Sequence, residues 1–568
     1  MADLFQTSVS GMLAFQRALA TTSHNISNVN TKGYSRQRVE LTTLTPTLVG
    51  GGWAGSGVGI AQIRRMADDD RNANVRSNTA EYNRLNTFAE LSGRIDGLLA
   101  DKNAGLAPSL QAFFNSVQQA AADPTSSTAR DVMLTEGRNL VSRFHFLSSR
   151  LTELEKEVNT RLEVTVDEVN ELASAVARLN QEIAVALGRS QGAPPNDLLD
   201  KRDALLEQLS ERVATQVVAL ADGSVNVFIG NGQPLVAAAV SNPLKTVASA
   251  DDPSRREIAF VAGGSTVNIT NNITGGSLGG LLDFRRESLD VVKGELDELA
   301  TVLATEFNRV HRLGVNFDQG TMQRGGDFFV ITDPANAART IDVALTRPSE
   351  IAWASPALTG EWTDDTGQSV NTGTGKIGAA RVGADVDLES PAAFDTIRLV
   401  RTGSGYRAEI TARDGSLAVI EPVPTVDGSL QIAVAGGSIA VEVTGIPDEG
   451  DAFFIKRNVN GRGDNTNLLA LADLRNHKLM EDGDATVQEF YSRVVGRVGT
   501  QTLRANVNRD AQEVMLEQAV AYREEVSGVN LEEEAAEMLR YQQAFQASAQ
   551  LIVTANAVFQ SLLDAVGR

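Results

Sequence analysis

The sequence predicts a multidomain α+β protein: a long α-helical bundle or coiled coil formed by both termini, with all-β domains inserted between them. Three observations predict it. Apolar residues recur at heptad spacing at each end of the chain. Long stretches of helical periodicity lie inside these ends. Short alternating strands, punctuated by Gly-rich turns, fill the middle.

Near the C-terminus, Met538, Phe545, Ile552, Phe559 and Val566 recur every seven residues, with Tyr541, Ser548, Ala555 and Leu562 at +3. No Gly or Pro interrupts this pattern before Gly567, so it reads as one helix with a narrow coiled-coil seam. Asn530 is placed to cap it, and Glu533 three residues on completes a capping-box pattern. At the other end Phe5, Met12, Leu19 and Ile26 also recur every seven, with Val9 between the first two. A strip this narrow forms no core alone, and a short isolated helix is marginal in water. Each terminal helix therefore needs a partner, either the other terminus or copies of the same protein. Two ordinary amphipathic helices of a globular core are the plainer alternative.

Residues 4–27 read as the first helix, ending in a polar run of turn formers from Asn25 to Gly33. Residues 36–65 look extended, with a Gly-rich tip at 50–57 around Trp53. From about 68 to 212 the pattern is helical. Asp123-Pro-Thr-Ser126 is a start signal, and the period from Leu147 to Ile183 stops at Gly188. A helix of more than 40 residues there spans on the order of 60 Å, which predicts an elongated molecule. After Gly192-Ala-Pro-Pro195, Asn196 is placed to cap a helix through Leu209. Residues 213–275 alternate as short strands, 278–312 return to helix, 325–457 read as an all-β insertion, and the chain is helical after 465. The expected domains are 1–66 plus 527–568 as a terminal axial domain, 67–324 plus 458–526 as a long-helix domain holding a β subdomain at 213–275, and 325–457 as an outer β domain.

Composition excludes more than it identifies. A net charge of −21 argues against nucleic acid or an anionic membrane as a partner. The absence of cysteine removes disulfides, thiolate metal sites and Cys nucleophiles. His24, His145, His311 and His477 lie far apart, with no HxxxH or HExxH pair, so no metal site is expected. Residues 1–20 lack the basic and apolar regions of a secretory leader, and no apolar run reaches membrane-spanning length. Gly373-Thr-Gly-Lys-Ile-Gly378 spells GxGxxG, but no helix opens after it, so the phosphate-cradling context is missing. Arg462-Gly-Asp464 reads as a turn and Asp68-Asp-Asp70 as a solvated charge run. No catalytic constellation or cofactor site is expected, and the chain is read as a non-enzyme.

Two N-terminal stretches resemble the motif of bacterial flagellar rod, hook and hook-associated axial proteins. They are Ser10-Gly-Met-Leu-Ala-Phe-Gln-Arg-Ala-Leu19 and Asn25-Ile-Ser-Asn-Val-Asn-Thr-Lys-Gly-Tyr-Ser-Arg36. Asn25, Asn28, Asn30, Gly33 and Tyr34 fall on the motif's fixed positions. The segment from Ser527 to Ala547 is similar to the family's C-terminal motif. Asn196-Asp-Leu-Leu-Asp-Lys-Arg-Asp203, Gly461 to Leu474 and the chain length resemble a hook–filament junction member. Lys32 stands where rod proteins often carry Pro, which argues against a rod protein, and Phe545 stands where Tyr is frequent.

The resemblance implies a structural subunit exported unfolded by the flagellar type III apparatus. It would be cytoplasmic before export and extracellular afterwards, at the hook–filament junction. The implied partners are further copies in a ring or helical layer, hook protein, a second junction protein, and a cytoplasmic export chaperone on the C-terminal helix. The terminal helices would pair, with Phe5, Val9, Met12 and Leu19 facing Phe545, Ile552, Phe559 and Leu562. The alternatives are a rod or hook subunit, or an axial protein with adhesive or enzymatic activity in 325–457.

Overall fold

Helix α1 (Ala2–Ser27) opens the chain, and the hairpin strands β1 (Gln37–Thr43), β2 (Thr47–Val49), β3 (Gly52–Ala54) and β4 (Val58–Arg65) follow it. The helices after them are α2 (Asp69–Leu99), α3 (Leu106–Ala122), α4 (Ser127–Arg189), α5 (Asn196–Arg212), α6 (Gly276–Phe284) and α7 (Asp290–Leu313). Next come a single turn α8 (Ala337–Thr340), then α9 (Thr466–Asp473), α10 (Val487–Ser527) and α11 (Leu531–Val566). This computed structural model describes residues 2–49, 51–101, 105–190, 192–318 and 321–566. The chain divides into two units. One holds Met1–Gly93, Leu154–Ser288 and Thr500–Arg568; the other holds Arg94–Glu153 and Leu289–Gly499.

In the first unit the 213–275 stretch forms β5 (Thr215–Ala219), β6 (Val225–Ile229), β7 (Gln233–Ala237), β8 (Val240–Ser241), β9 (Leu244–Ala248), β10 (Arg256–Ala262) and β11 (Ser265–Asn268). They make a four-stranded sheet in the order β5-β6-β7-β8 and a three-stranded sheet in the order β11-β10-β9. The alternation read from Val225, Val227 and Ile229 is the buried face of β6.

Helix α4 is 63 residues long, from the Asp123–Ser126 start signal to just past Gly188. Val158, Leu162, Val169 and Val176 of its apolar period are fully buried. The apolar stripe alone does not fix the sheets against it. Three asparagines do, at positions 159, 170 and 180, each about three turns from the next. Asn159 donates to Ser254 O (3.0 Å) and accepts from Arg256 N (3.0 Å). Asn170 donates to Leu244 O (2.9 Å) and accepts from Leu244 N (2.8 Å). Asn180 donates to Val225 O (2.8 Å) and Ala238 O (2.7 Å) and accepts from Val225 N (3.2 Å). Each amide thus stands in for a strand partner and satisfies backbone groups that burial would otherwise leave bare.

The core of the second unit is aromatic. Phe113, Phe307, Phe328 and Phe329 are buried with ring centroids 4.8–5.8 Å apart. The 325–457 stretch holds a five-stranded sheet in the order Ala357–Glu361, Ala452–Arg457, Phe394–Thr402, Gly405–Ala412, Leu417–Ile420. A four-stranded sheet runs in the order Arg381–Val382, Gly437–Val441, Ser429–Val434, Thr425–Val426. It is not wholly β, because Asp333-Pro334 starts a helical turn that continues into α8. The Asp333 carboxylate accepts from Ala335 N (3.1 Å), and Ala338 N donates to Asp297 on α7 (2.8 Å).

His311 on α7 is fully buried beside Phe328. Ala352 N–H donates to its Nε2 (2.9 Å), so the ring proton sits on Nδ1 and is donated to Gly326 O (2.7 Å). Burial pushes the imidazole down to about 4, although the Gly326 carbonyl and Asp327 pull the other way. The unfolded chain therefore binds the extra proton first. Stability is intact above about pH 6.5 and falls as pH drops toward 4, by about 3 kcal/mol in all. Thermal melts of this unit's transition between pH 7 and pH 4.5 check this. His311→Gln is expected to be less stable at pH 7 and to flatten the pH slope; an unchanged slope refutes the assignment.

Candidate functional site

Helices α1 and α11 run antiparallel. Gly11 sits beside Ser548, the Phe15 ring is 6.4 Å from Tyr541, and Asn25 reaches Glu534. The centre of the pair is built from small and polar side chains. Ser8, Gly11, Ala14 and Ala18 are buried on α1, and Ser548 and Ala555 on α11. A β-carbon on Gly11 would lie 3.1 Å from Ser548 Oγ, so this glycine sets the closeness of approach.

The large seam residues flank that centre. Val9, Met12, Leu19, Ile26, Met538, Tyr541, Phe545 and Ile552 are half-buried. Phe5 is 45 % exposed and Phe559 53 %. The side chain of Leu562 lies outside the described residues. Leu13, Leu539, Leu551 and Val553 are exposed as well, so the pair presents apolar surface along its flanks.

At the far end of the pair, three segments distant in sequence close on Asn25. This side chain is 1 % exposed and uses its whole capacity, two donors and two lone pairs. It donates to Gln37 O (2.9 Å) and to Glu534 Oε2 (2.9 Å), and accepts from Gln37 N (3.0 Å) and the Tyr34 hydroxyl (2.7 Å). Arg36 pairs with Glu534 (2.6 Å) and Glu533 (2.8 Å), and its amide donates to Ser527 O (2.9 Å). Glu533 is therefore spent on Arg36, and only the Asn530 half of the expected capping box forms, with Oδ1 accepting from Glu532 N (2.9 Å).

Helix α5 completes the node. Asp200 accepts from Ser35 N (3.0 Å) and from Arg65 (3.1 Å), while Asp203 accepts from Arg65 (2.7 Å). Burial alone would lower the Arg65 guanidinium, and Asp203 and Asp200 raise it above its ordinary value. Asn196 is a correction. It is the first residue of α5, with Pro195 at the cap position, and its side chain donates instead to Ile63 O (2.9 Å) on β4. Burial, then the charges of Asp200, Asp197 and Glu534, push the Tyr34 hydroxyl far above the usual phenol range, so it stays a donor.

The remaining motif positions shape the loop between α1 and β1. Asn28 donates to His24 O (2.9 Å) and accepts from Thr31 Oγ1 (3.2 Å). Gly33 has φ +82°, a left-handed conformation, and a β-carbon there would sit 3.2 Å from Ala204 Cβ on α5. Asn30 is exposed on that loop.

Sequence reasoning does not single out Glu534, Arg36, Asp200 or Arg65. The run Glu532-Glu533-Glu534 looks like ordinary N-terminal helix charge, and only the burial of its third member marks it as structural.

The other motifs are accounted for by their own neighbours. Asp451 accepts from Thr372 N (2.8 Å) and Gly373 N (3.1 Å), occupying the amides a phosphate would need. Asp464 accepts from Ser355 N (2.7 Å), Asn458 Nδ2 (2.9 Å) and Thr466 N (3.0 Å), which fixes Arg462–Asp464 as a turn into α9. Among the described residues no three His, Cys, Asp or Glu side chains are grouped to hold a metal ion, and no helix is long and apolar enough to cross a membrane.

Comparison with known proteins follows the same segments. Residues 5–34 match the flagella basal body rod protein family, 521–565 the C-terminal family of flagellar basal body rod FlgEFG proteins, and 92–329 the helical domain of flagellar hook-associated protein FlgK. Flagellar hook-associated protein 1 of Salmonella typhimurium is 32% identical over 575 residues, covering 99% of this chain and 100% of the relative. This chain belongs to the flagellar hook-associated protein 1 family. Its Escherichia coli relative of the same name is 31% identical with 99% and 100% coverage, and the Bacillus subtilis one 26% with 99% and 98%. The flagellar hook junction protein FlgK of Burkholderia pseudomallei shares the fold, with TM-score 0.68, 24% identity, and coverage of 81% of this chain and 100% of that one. Within the family frame, the Asn25 node joins the two rod-type terminal segments to α5 of the helical domain.

Proposed function

We propose that this hook-associated protein is a structural subunit of the bacterial flagellum, seated at the junction between hook and filament. The observation that carries the reading is the closure of both chain ends on one buried polar node, beside a helix pair whose large apolar side chains stay half-covered. A single chain leaves that surface wet; further copies packed beside it would bury it. At about 25 cal/mol per Å² the gain grows with each covered residue.

In this reading, residues 1–66 and 527–568 form the axial domain, 67–324 with 458–526 the long-helix domain, and 325–457 the outer domain. The protein contacts hook protein on one side and a second junction protein on the other. Before export a cytoplasmic chaperone covers the exposed apolar residues of α11, such as Leu539, Leu551 and Val553. The subunit carries no catalytic activity.

Deletion of the gene tests this, with swimming, hooks by electron microscopy and flagellin in the medium as readouts. Hooks without filaments and flagellin shed outside are expected. Absence of hooks would move the protein into the rod or hook, and intact motile filaments would refute the reading.

A further inference from the structure

The hairpin β2–β3 carries an exposed aromatic residue in the middle of its second strand. Trp53 is 74 % exposed and its cross-strand partner Leu48 is 67 % exposed. No charged residue occurs from Leu41 to Ile63, in a chain of net charge −21. A tryptophan kept in water on an uncharged finger is an unfilled contact, since an indole is among the largest apolar surfaces a side chain offers.

The same unit carries a cleft. The loop after α1, helices α2 and α5, and the end of α10 enclose a cleft of about 610 Å³. Val29, Val520 and Val529 give it apolar wall, Arg76 and Lys32 cations, and Glu207 a carboxylate. Arg76 is the informative member. It lines the cleft, and among the described residues it makes no hydrogen bond or ion pair; Asp203, Asp69, Glu207 and Arg202 act on it as more distant charges. A guanidinium in that position stacks well on an indole face, and a nearby carboxylate accepts the indole N–H. Trp53 does not line the cleft of its own chain.

We propose that Trp53 and Leu48 of one copy enter this cleft on the next copy, with the indole against Arg76. The occupant is a second copy because the chain carries both halves of the contact, knob and cleft, and such a contact repeats head to tail around a ring or helix. Copies of so acidic a chain repel one another, and an uncharged finger brings no further charge to a cleft lined by Lys32, Arg76 and Arg523 as well as by carboxylates. The cleft also exists only where the loop after α1, α5 and α10 have come together, so a copy with open ends offers no receptor. The proposal rests on the reading that copies assemble side by side.

The absence of cysteine makes the test clean. Gly55→Cys, two residues after Trp53 at the base of the hairpin, and Gln208→Cys, in the cleft, are combined in the full chain and expressed in the deletion strain. Isolated flagella are treated with a short bismaleimide. A ladder of dimers, trimers and higher oligomers is expected, absent from either single variant. No ladder in filaments that still assemble overturns the contact and leaves the structural reading standing; motile filaments in the deletion strain itself would instead defeat that reading. If the double variant builds no filaments, Trp53→Phe and Trp53→Asp in the cysteine-free chain decide. Phe is expected to swim like the parent, and Asp to give roughly tenfold fewer filaments while still being secreted; equal filament numbers overturn the proposal.

Discussion

Asn25→Ala is expected to unfasten the two ends of the chain. The substitution removes four hydrogen bonds from a side chain that is 1 % exposed, one of them to the Glu534 carboxylate, itself 2 % exposed. A neutral hydrogen bond contributes about 1 kcal/mol net and one to a charged group about 2 kcal/mol, and buried partners left bare cost more. Because the four share one side chain they do not add fully, and a loss of roughly 3 kcal/mol at the node is expected. Limited proteolysis of the purified chain checks it. Cleavage within α1 and the loop before β1 is expected to accelerate strongly, with non-motile cells as the physiological counterpart. Asn25→Asp is expected to be worse, since it sets a second carboxylate against Glu534. A cleavage pattern identical to wild type would show that the node does not hold the ends.

Gly11→Leu is expected to separate α1 from α11 without touching that node. The packing at Gly11 leaves room for little beyond hydrogen, with Ser548 Oγ 3.1 Å from where a β-carbon would stand and the Phe15 ring 3.8 Å away. Alanine is a different matter. The Ser548 hydroxyl can rotate aside, and alanine in a helix interior is favoured over glycine by about 1 kcal/mol. The expected order is therefore Gly11→Ala equal to or more stable than wild type, and Gly11→Leu destabilised by about 1–3 kcal/mol through overpacking, with filaments lost. If Leu assembles as well as Ala, close approach at this position is not what joins the helices.

How far the sequence carries can be seen at these two positions. The heptads locate both terminal helices, and Asn25 stands out through its motif. On α11 the heptad's +3 positions already place Ser548 and Ala555 on the seam, and both are buried; on α1 the central face is not legible, because large apolar residues dominate any pattern while Gly11, Ala14 and Ala18 look like filler. Small residues are chosen where backbones approach, and that choice depends on a partner helix more than 500 residues away. The asparagines of α4 escape for a related reason. Each looks like a weak helix former until a strand's bare amide and carbonyl are set beside it. The long helix itself, the strands of 213–275 and the turn at Arg462–Asp464 need only local signals and are readable. Helix α8 is hidden by the β-rich composition around it, although Asp333-Pro334 is a start signal in plain sight.

The bond between Asn25 and Glu534 joins residues 509 positions apart. Synthesis at about 5–20 residues per second separates the two by roughly 25–100 s. For all that time α1 has only its near neighbours in sequence, Tyr34, Gln37 and Val58, to bond with and lacks its partner helix α11. Contacts of such long sequence separation form late. A nascent or truncated chain is thus open at its ends by construction, and only the complete molecule can close.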